Sequence, residues 1–285
     1  MTKPKGKTIQ IFLPDGNPRG VKIADITSRT VQIILIPRSA LDEVAKRDEI
    51  QNVGIYFLIG TTEDSVKPIL YVGEAENCLT RLKQHNKSKE FWNTAIVAIS
   101  KTQFFTKSHI KYLEWYCHES AQKADRYTLE NNQIPSKSYI PEPVEVDLMD
   151  NFDTIKILVS TLGYPLFDSI SKPRQKKDIL ICKGKGAEAT GEYTDDGFVV
   201  FAGSTARKEV TKGAQAWVTT MRAKLTAQGI LQEKQDRYVF TSNFIFTSPS
   251  GAAGIVLGRN ANGWISWKYQ NGKTLDEVKR KNNDG

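Results

Sequence analysis

The chain has 285 residues, 39% of them hydrophobic and 25% charged, the balance of a globular protein with room for one large domain or two to three ordinary ones rather than of a disordered chain. No apolar run approaches the roughly 20 residues that cross a bilayer, and the opening MTKPKGKTIQ is basic with no apolar stretch behind it, so no membrane is expected as a partner and the cytoplasm is the expected location. The net charge of +8 favours a polyanionic partner, while three cysteines, Cys78, Cys117 and Cys182, at unpaired spacings indicate neither a disulfide framework nor a zinc cluster.

Residues 8 to 36 fall into three alternating runs, TIQIFLP, GVKIADI and TVQIILI, with Asp15-Gly16 and the Ser28-Arg29 region as turns, and predict a small antiparallel sheet. A helical segment from Leu41 to Arg47 follows, with Ser39 as a candidate cap. Arg19, Lys22 and Arg29 form either a phosphate-facing surface of that sheet or a plain solvated face. VGIYFLIG and ILYVGE then predict the two strands of a hairpin. LTRLKQH reads as a helix carrying Arg81 and His85 four apart, and FWNTAIVAIS as a further strand. Thr106 or Ser108 starts a longer helix whose apolar positions Ile110, Leu113, Cys117, Ala121 and Ala124 keep helical spacing. Glu114 stands at the edge of that stripe, from where a carboxylate can reach a neighbouring cleft.

The pattern breaks between Pro135 and Pro143, and PEPVEVDLMD carries four acidic residues and no basic ones, which marks a linker or domain edge near residue 140. MDNFDTIKILVSTLGYPLF predicts a helix through Leu158, Val159 and Leu162, stopped by Gly163 and Pro165. From Lys172 to Lys185 six lysine or arginine residues face one aspartate, Asp178, as a backbone-binding patch or a solvated linker. ILICKGKG, EATGEYT and GFVVFAGS read as strands, followed by a helix from about Ala214 to Ala227 that Gly229 ends. RYVFTS and FIFTS read as a strand pair. Ser248 then caps a helix with Pro249 in its first position and Gly258 at its left-handed end. GWISWKY reads as a strand before an Asn271-Gly272 hairpin turn and a basic tail. The domains expected are a β-rich extension over 1–50, a central domain over 51–140, a helical and basic linker region over 141–189 and an α+β module over 190–280.

Phosphodiester hydrolysis needs a deprotonated nucleophile, neutralised charge on the phosphoryl oxygens and help for the departing oxygen. A tyrosine hydroxyl near a divalent ion can take or relay the water proton, an arginine can hold two phosphate oxygens, and a carboxylate can keep a hard metal in place. Tyr56, Tyr71, Arg81, His85 and Glu114 supply a member for each task. Read as residues alone, the same set could fill strand faces and a solvated helix face.

The order Gly54-Ile55-Tyr56, Tyr71-Val72-Gly73, Arg81, Glu114 and an asparagine near 131 resembles the GIY-YIG nuclease family over residues 53 to 132, with valine for isoleucine in the second tripeptide. The resemblance implies an α+β fold, a three-stranded antiparallel sheet flanked by helices, that cleaves DNA with one divalent cation, usually Mg2+, with Mn2+ as a substitute. It further implies that Tyr56 activates the attacking water, directly or through the metal. Tyr71 would support that proton transfer and the phosphate contacts, Arg81 would steady the pentacovalent transition state on the DNA, and His85 would position or relay protons. Glu114 would be the sole protein carboxylate on the metal, and Asn131 or Asn132 would fill a helix-end asparagine position. Lysine is common three positions beyond the second tyrosine in some members; Glu74 stands there in this chain, which places another carboxylate near the metal and leaves the general base open.

The run from Thr247 to Val278 resembles a small domain of uncharacterised function that often follows GIY-YIG domains in bacterial proteins, and is similar to modules of restriction and adenine-methylation systems. Its shared features are the serine-started alanine-rich helix, Gly258, Asn262-Gly263-Trp264, Trp267 and Gly272-Lys273-Thr274-Leu275. In one reading Arg259 and Lys268 contact phosphates while Trp264 or Trp267 stacks on a base. In the other, both tryptophans are core and lie on opposite faces of a strand. The chain is therefore expected to be a divalent-metal-dependent DNA endonuclease, working as a homodimer or with a restriction or repair partner protein. The alternatives are a noncatalytic DNA- or protein-binding component of such an assembly, or an oligomeric scaffold with a basic surface.

Overall fold

The computed structural model describes residues 6–170, 178–212, 214 and 216–281, and divides into two compact units, Met1–Ser169 and Ile170–Gly285. The protein is α+β in both. The basic run from Lys172 falls partly outside the described residues, at positions 172–177.

In the first unit, β1 (Ile9–Phe12), β2 (Lys22–Ile26) and β3 (Val31–Pro37) form the antiparallel meander that their alternation predicts. Arg29 ends up paired with Asp150 rather than open to a phosphate. A 3-10 turn over Arg38–Ala40 leads into α1 (Leu41–Val44), whose N-cap is Ala40 with no side-chain bond. Ser39 does not cap because the turn has already drawn it into the helical winding. Next come β4 (Gly54–Gly60), β5 (Ile69–Ala75), α2 (Cys78–Ser88), β6 (Trp92–Ser100), α3 (Lys107–Ala124), β7 (Thr128–Leu129) and α4 (Glu142–Thr161).

The sheet order is β1-β2-β3-β6-β4-β5-β7. The expected three-stranded antiparallel sheet is thus only the centre, β6-β4-β5, of a seven-stranded mixed sheet. The reason lies in β6, whose second edge pairs with β3 along seven positions from Val31↔Ser100 to Pro37↔Thr94. A long apolar strand with a free edge would be an aggregation site, and the N-terminal meander covers it. The acidic run near residue 142 is the first turn of α4, where Glu142 and Glu145 suit the positive end of the helix, and α4 packs on β2, β3 and α3.

Both faces of the central strands β3, β6, β4 and β5 are largely buried, so these strands are apolar on both sides. Ile55, Phe57, Leu70 and Val72 face one core with α3 and α4. Tyr56 and Leu58, one residue out of step, face the other with α2, and Tyr71 packs on that side too. The parallel strand β7 covers only Ile69 and Leu70 of β5. From Tyr71 onward the edge of β5 has no neighbouring strand among the described residues, and this is where side chains from the two faces meet.

In the second unit, β8 (Leu180–Gly184), β9 (Ala187–Thr194), β10 (Gly197–Val200), β11 (Thr205–Arg207), α5 (Ala216–Ala227), β12 (Leu231–Lys234), β13 (Arg237–Phe240), β14 (Phe244–Phe246), α6 (Pro249–Leu257), α7 (Gly263–Ser266), β15 (Lys268–Tyr269) and α8 (Leu275–Lys279) follow in order. They make a five-stranded sheet, β14-β10-β9-β8-β15, and a three-stranded one, β11-β13-β12. RYVFTS and FIFTS do not pair: they are β13 and β14, in different sheets. The hairpin partner of β13 is β12, whose charged sequence LQEK hid a strand, and Gln235 takes the left-handed turn at φ 51°.

Helix α6 is built as read, with Ser248 accepting from the Gly251 N–H at 3.1 Å and Gly258 closing the helix at φ 64°. GWISWKY is not a strand. The Asn262 side chain accepts from the Trp264 N–H at 3.0 Å and starts α7, leaving only Lys268–Tyr269 in the sheet. The two tryptophans therefore differ by helix geometry, Trp267 wholly buried with its Nε1 donating to the Pro249 carbonyl at 3.0 Å, Trp264 partly exposed. Among the described residues, no helix is long and apolar enough to cross a membrane.

Candidate active site

The open stretch of β5 borders a cavity of about 790 Å³ in the first unit, lined among others by Tyr56, Tyr71, Arg81, His85, Glu114 and both Asn131 and Asn132. Seven residues far apart in the sequence are thus brought together. Arg259 and Lys268, the remaining sequence candidates, are exposed residues of the second unit; Arg259 donates to the neighbouring Asn260 carbonyl, and Lys268 pairs with Ile181 in β15.

The tyrosines come from neighbouring strands. Tyr56 lies opposite Gly73 in the β4–β5 register, and a Cβ at Gly73 would stand 2.3 Å from the Tyr56 hydroxyl. The second tripeptide ends in glycine because the phenol lies over that position. Gly54 has a comparable reason, since a Cβ there would meet the Ala98 carbonyl at 2.5 Å. The rings of Tyr56 and Tyr71 stack with centroids 6.1 Å apart, and each approaches the His85 imidazole, at 5.5 and 5.1 Å.

Arg81 and His85 reach the tyrosines because Asn77 starts α2 on time, its side chain accepting from the Thr80 N–H at 2.9 Å. One helical turn then separates the two side chains on one face. Arg81 Nε donates to the Tyr56 hydroxyl at 3.3 Å, and the same hydroxyl is 2.9 Å from His85 Nε2. Burial raises the Tyr56 phenol well above the ordinary tyrosine range, with Tyr71 adding to the shift and Arg81 opposing it. Burial also lowers the His85 imidazole to about 4, helped by the positive charges of Arg81 and Lys89. The imidazole is therefore neutral at pH 7 and has a lone pair to offer.

Glu114 enters from α3 on the other face of the sheet. Burial pushes its carboxyl up to about 7, and the nearby Glu74 charge adds to this, against the pull of Lys107. Lys107 donates to Glu74 Oε2 at 2.9 Å, and that bond raises the lysine's own pKa. Lys107 and Lys111 escaped the sequence reading, although Lys107, Lys111 and Glu114 at i, i+4 and i+7 mark one helix face. Lys111 and Lys89 line the same cavity, and the Lys89 ammonium lies 4.7 Å from the Tyr71 ring centre.

The two asparagines, which spacing could not separate, are placed differently. Neither is at a helix end: α3 stops at Ala124, and β7 intervenes. Asn131 accepts from the Val72 N–H at 3.1 Å and donates to the Val72 carbonyl at 2.7 Å. Its amide thus does for one residue what β7 does for Ile69 and Leu70, and holds the middle of the second tripeptide in place. Asn132 is exposed at the cavity wall.

A cavity that combines a hydroxyl, an imidazole, a guanidinium and a hard carboxylate is suited to phosphoryl chemistry. Comparison with known families names the class. Residues 52–136 match the GIY-YIG catalytic domain, and residues 180–279 match a domain of unknown function, DUF4357. The chain carries both domains, and the first supports a nuclease-type function. No curated protein and no solved structure matches the chain.

Proposed function

We propose that the first unit is a divalent-metal-dependent endonuclease that hydrolyses DNA phosphodiester bonds. The observation that carries this reading is the meeting of Tyr56, Arg81 and Glu114 in one cavity, with Tyr56 hydrogen-bonded to a neutral His85.

Among the described residues, no group of three or more His, Cys, Asp or Glu side chains could hold an ion. The donors present are carboxylates, Glu114 with Glu74 beside it, and this set fits Mg2+ or Mn2+, which bind through one or two carboxylates with substrate phosphate and water. When bound, such an ion supplies Lewis-acid charge for the phosphoryl oxygens. Glu114 is the residue to hold it, since an ion would ionise a carboxyl that burial otherwise keeps half protonated near pH 7.

The proton path belongs to the chain itself. A raised phenol pKa makes a free tyrosinate a poor starting state, so Tyr56 acts as base by relay. As water oxygen bonds to phosphorus, the water proton passes to the Tyr56 oxygen while the Tyr56 proton passes to His85 Nε2; the departing oxygen leaves with the electron pair of the broken bond and takes a proton from solvent, to which His85 later returns its own. Arg81 orients the phenol through Nε and keeps its charge toward the phosphate. Tyr71 walls the imidazole on its other side.

A nicking assay on supercoiled, mismatched and modified DNA with Mg2+ or Mn2+ tests this. The expected result is metal-dependent nicking, lowered about 10²–10⁴-fold in Tyr56→Phe and abolished in Glu114→Gln with DNA affinity largely kept. Equal activity of Glu114→Gln at saturating Mg2+ removes Glu114 from the metal, and DNA binding without nicking in the parent protein favours a noncatalytic component.

A further inference from the structure

One wall of the cavity is a segment without regular structure, residues 131–138, that the mechanism does not use. It is fixed at both ends. Asn131 holds the Val72 backbone through two hydrogen bonds; at the other end Lys137 pairs with Glu145 at 3.4 Å, with its ammonium 5.1 Å from the Trp115 ring centre, and Ile140 is buried in the core. Between these anchors Asn132, Gln133 and Ile134 are all exposed, and Ile134 keeps 72% of its surface in water although it lines the cavity.

Ile134 thus offers a large apolar side chain to whatever occupies the cavity that the site residues line. Its neighbours point to the chemistry of that occupant. Asn and Gln amides read the acceptors of the DNA minor groove, and an adjacent apolar side chain wedges between base pairs and opens the step. Lys89 and Lys111 on the same cavity supply charge for the flanking phosphates.

Resting on the nuclease reading above, we propose that Asn132, Gln133 and Ile134 form a minor-groove edge, with Ile134 as a wedge that unstacks the base step beside the scissile phosphate. Because an already weakened step costs less to open, the wedge makes mismatched and flexible steps the preferred substrates.

Permanganate, which oxidises unstacked thymines, tests this at positions that nicking itself locates. Nick positions of the full-length protein are first mapped on a plasmid with Mg2+; thymine reactivity is then mapped on the same plasmid bound to Glu114→Gln. The expected result is hyper-reactive thymines next to the nick positions, lost when Ile134→Ala is added and kept with Ile134→Phe. In the active protein, Ile134→Ala should lower nicking of matched duplex about tenfold more than nicking of a mismatched one. Binding and nicking with no hyper-reactive thymine, or hyper-reactivity unchanged in Ile134→Ala, overturns the wedge while leaving the nuclease reading intact. Absence of nicking overturns both, whether or not the protein binds DNA.

Discussion

Two glycines, one in each unit, show how differently the two halves of the chain use their sequence signatures. Gly73 lies under the Tyr56 phenol, and Gly263 lies against the Pro249 carbonyl, where a Cβ would be 2.1 Å from backbone oxygen. Both are required by close approach, but what approaches differs. At Gly73 it is a polar side chain already hydrogen-bonded to an imidazole and an arginine. At Gly263 it is the first residue of a buried helix, next to a tryptophan that is itself fully enclosed. The signature of the first unit gathers unlike chemical groups around an opening; much of the second unit's signature is packing.

The largest effect that sharpens this contrast is expected at Trp267. Its ring packs on Phe198 with centroids 4.3 Å apart, and its Nε1 is satisfied by Pro249. Trp267→Ala should destabilise the second unit by about 3–5 kcal/mol, read as an earlier calorimetric transition, while metal-dependent nicking below that transition stays within about twofold of the parent protein. A loss of nicking that matched the loss of stability would show that the second unit takes part in the chemistry.

Gly73→Ala reverses the pattern. The new methyl must push the Tyr56 phenol away from His85 and Arg81, which costs about 1–3 kcal/mol of stability by overpacking. The rate should suffer more, by about 10²-fold, because an ångström of misplacement is enough for that. Circular dichroism and thermal melting beside the nicking assay separate the two effects. An active Gly73→Ala protein would mean that the tyrosine position is not critical.

How much of this was readable from residues depends on where the determining contact lies. The strands of the meander, the stripe on α3 and the ends of α6 are set by neighbours three to seven positions away, and they were legible. That β3 would join β6 was not, because pairing across roughly 60 residues leaves no local trace in either strand. At the site, motif order supplied Tyr56, Arg81 and Glu114. The hydrogen bond between Tyr56 and His85, the different placements of Asn131 and Asn132, and the Lys107–Glu74 pair needed the fold, since each joins elements brought together only by the sheet. The helix α7 is hidden because Trp264 and Trp267 look like strand residues until the Asn262 cap is seen.

A smaller effect follows from the protonation of Glu114. Its carboxyl is raised from 4.5 to about 7 in the folded protein, so the folded state holds the proton more tightly than the unfolded chain does. Stability from this group is fully present below about 4.5 and is lost as the pH rises through about 7. Glu114→Gln removes that loss. In the presence of a chelator the variant should therefore melt at a higher temperature than the parent at pH 8, with the difference shrinking toward pH 5. His85, lowered to about 4 by burial, loses stability in the opposite direction, as the pH falls from 6.5, and does so in both proteins. A variant that melts below the parent at pH 8 would mean that the carboxylate is stabilised by contacts rather than strained by burial.

The smallest expected effect bears most directly on the second unit, where two sequence candidates lie at the surface rather than in the packed core. Arg259 and Lys268 are both exposed at the surface, and a phosphate contact from either would be worth little in affinity yet visible in its salt dependence. Each replacement by alanine should weaken duplex binding by the full-length protein uniformly across sequences, and should lower the slope of log affinity against log salt by about 0.9 for every contact removed. Fluorescence anisotropy over a range of salt concentrations measures that slope. If it is the same in Arg259→Ala, Lys268→Ala and the parent, neither residue touches the DNA backbone. Binding then rests on other basic residues of the chain, Arg81, Lys89 and Lys111 around the cavity among them.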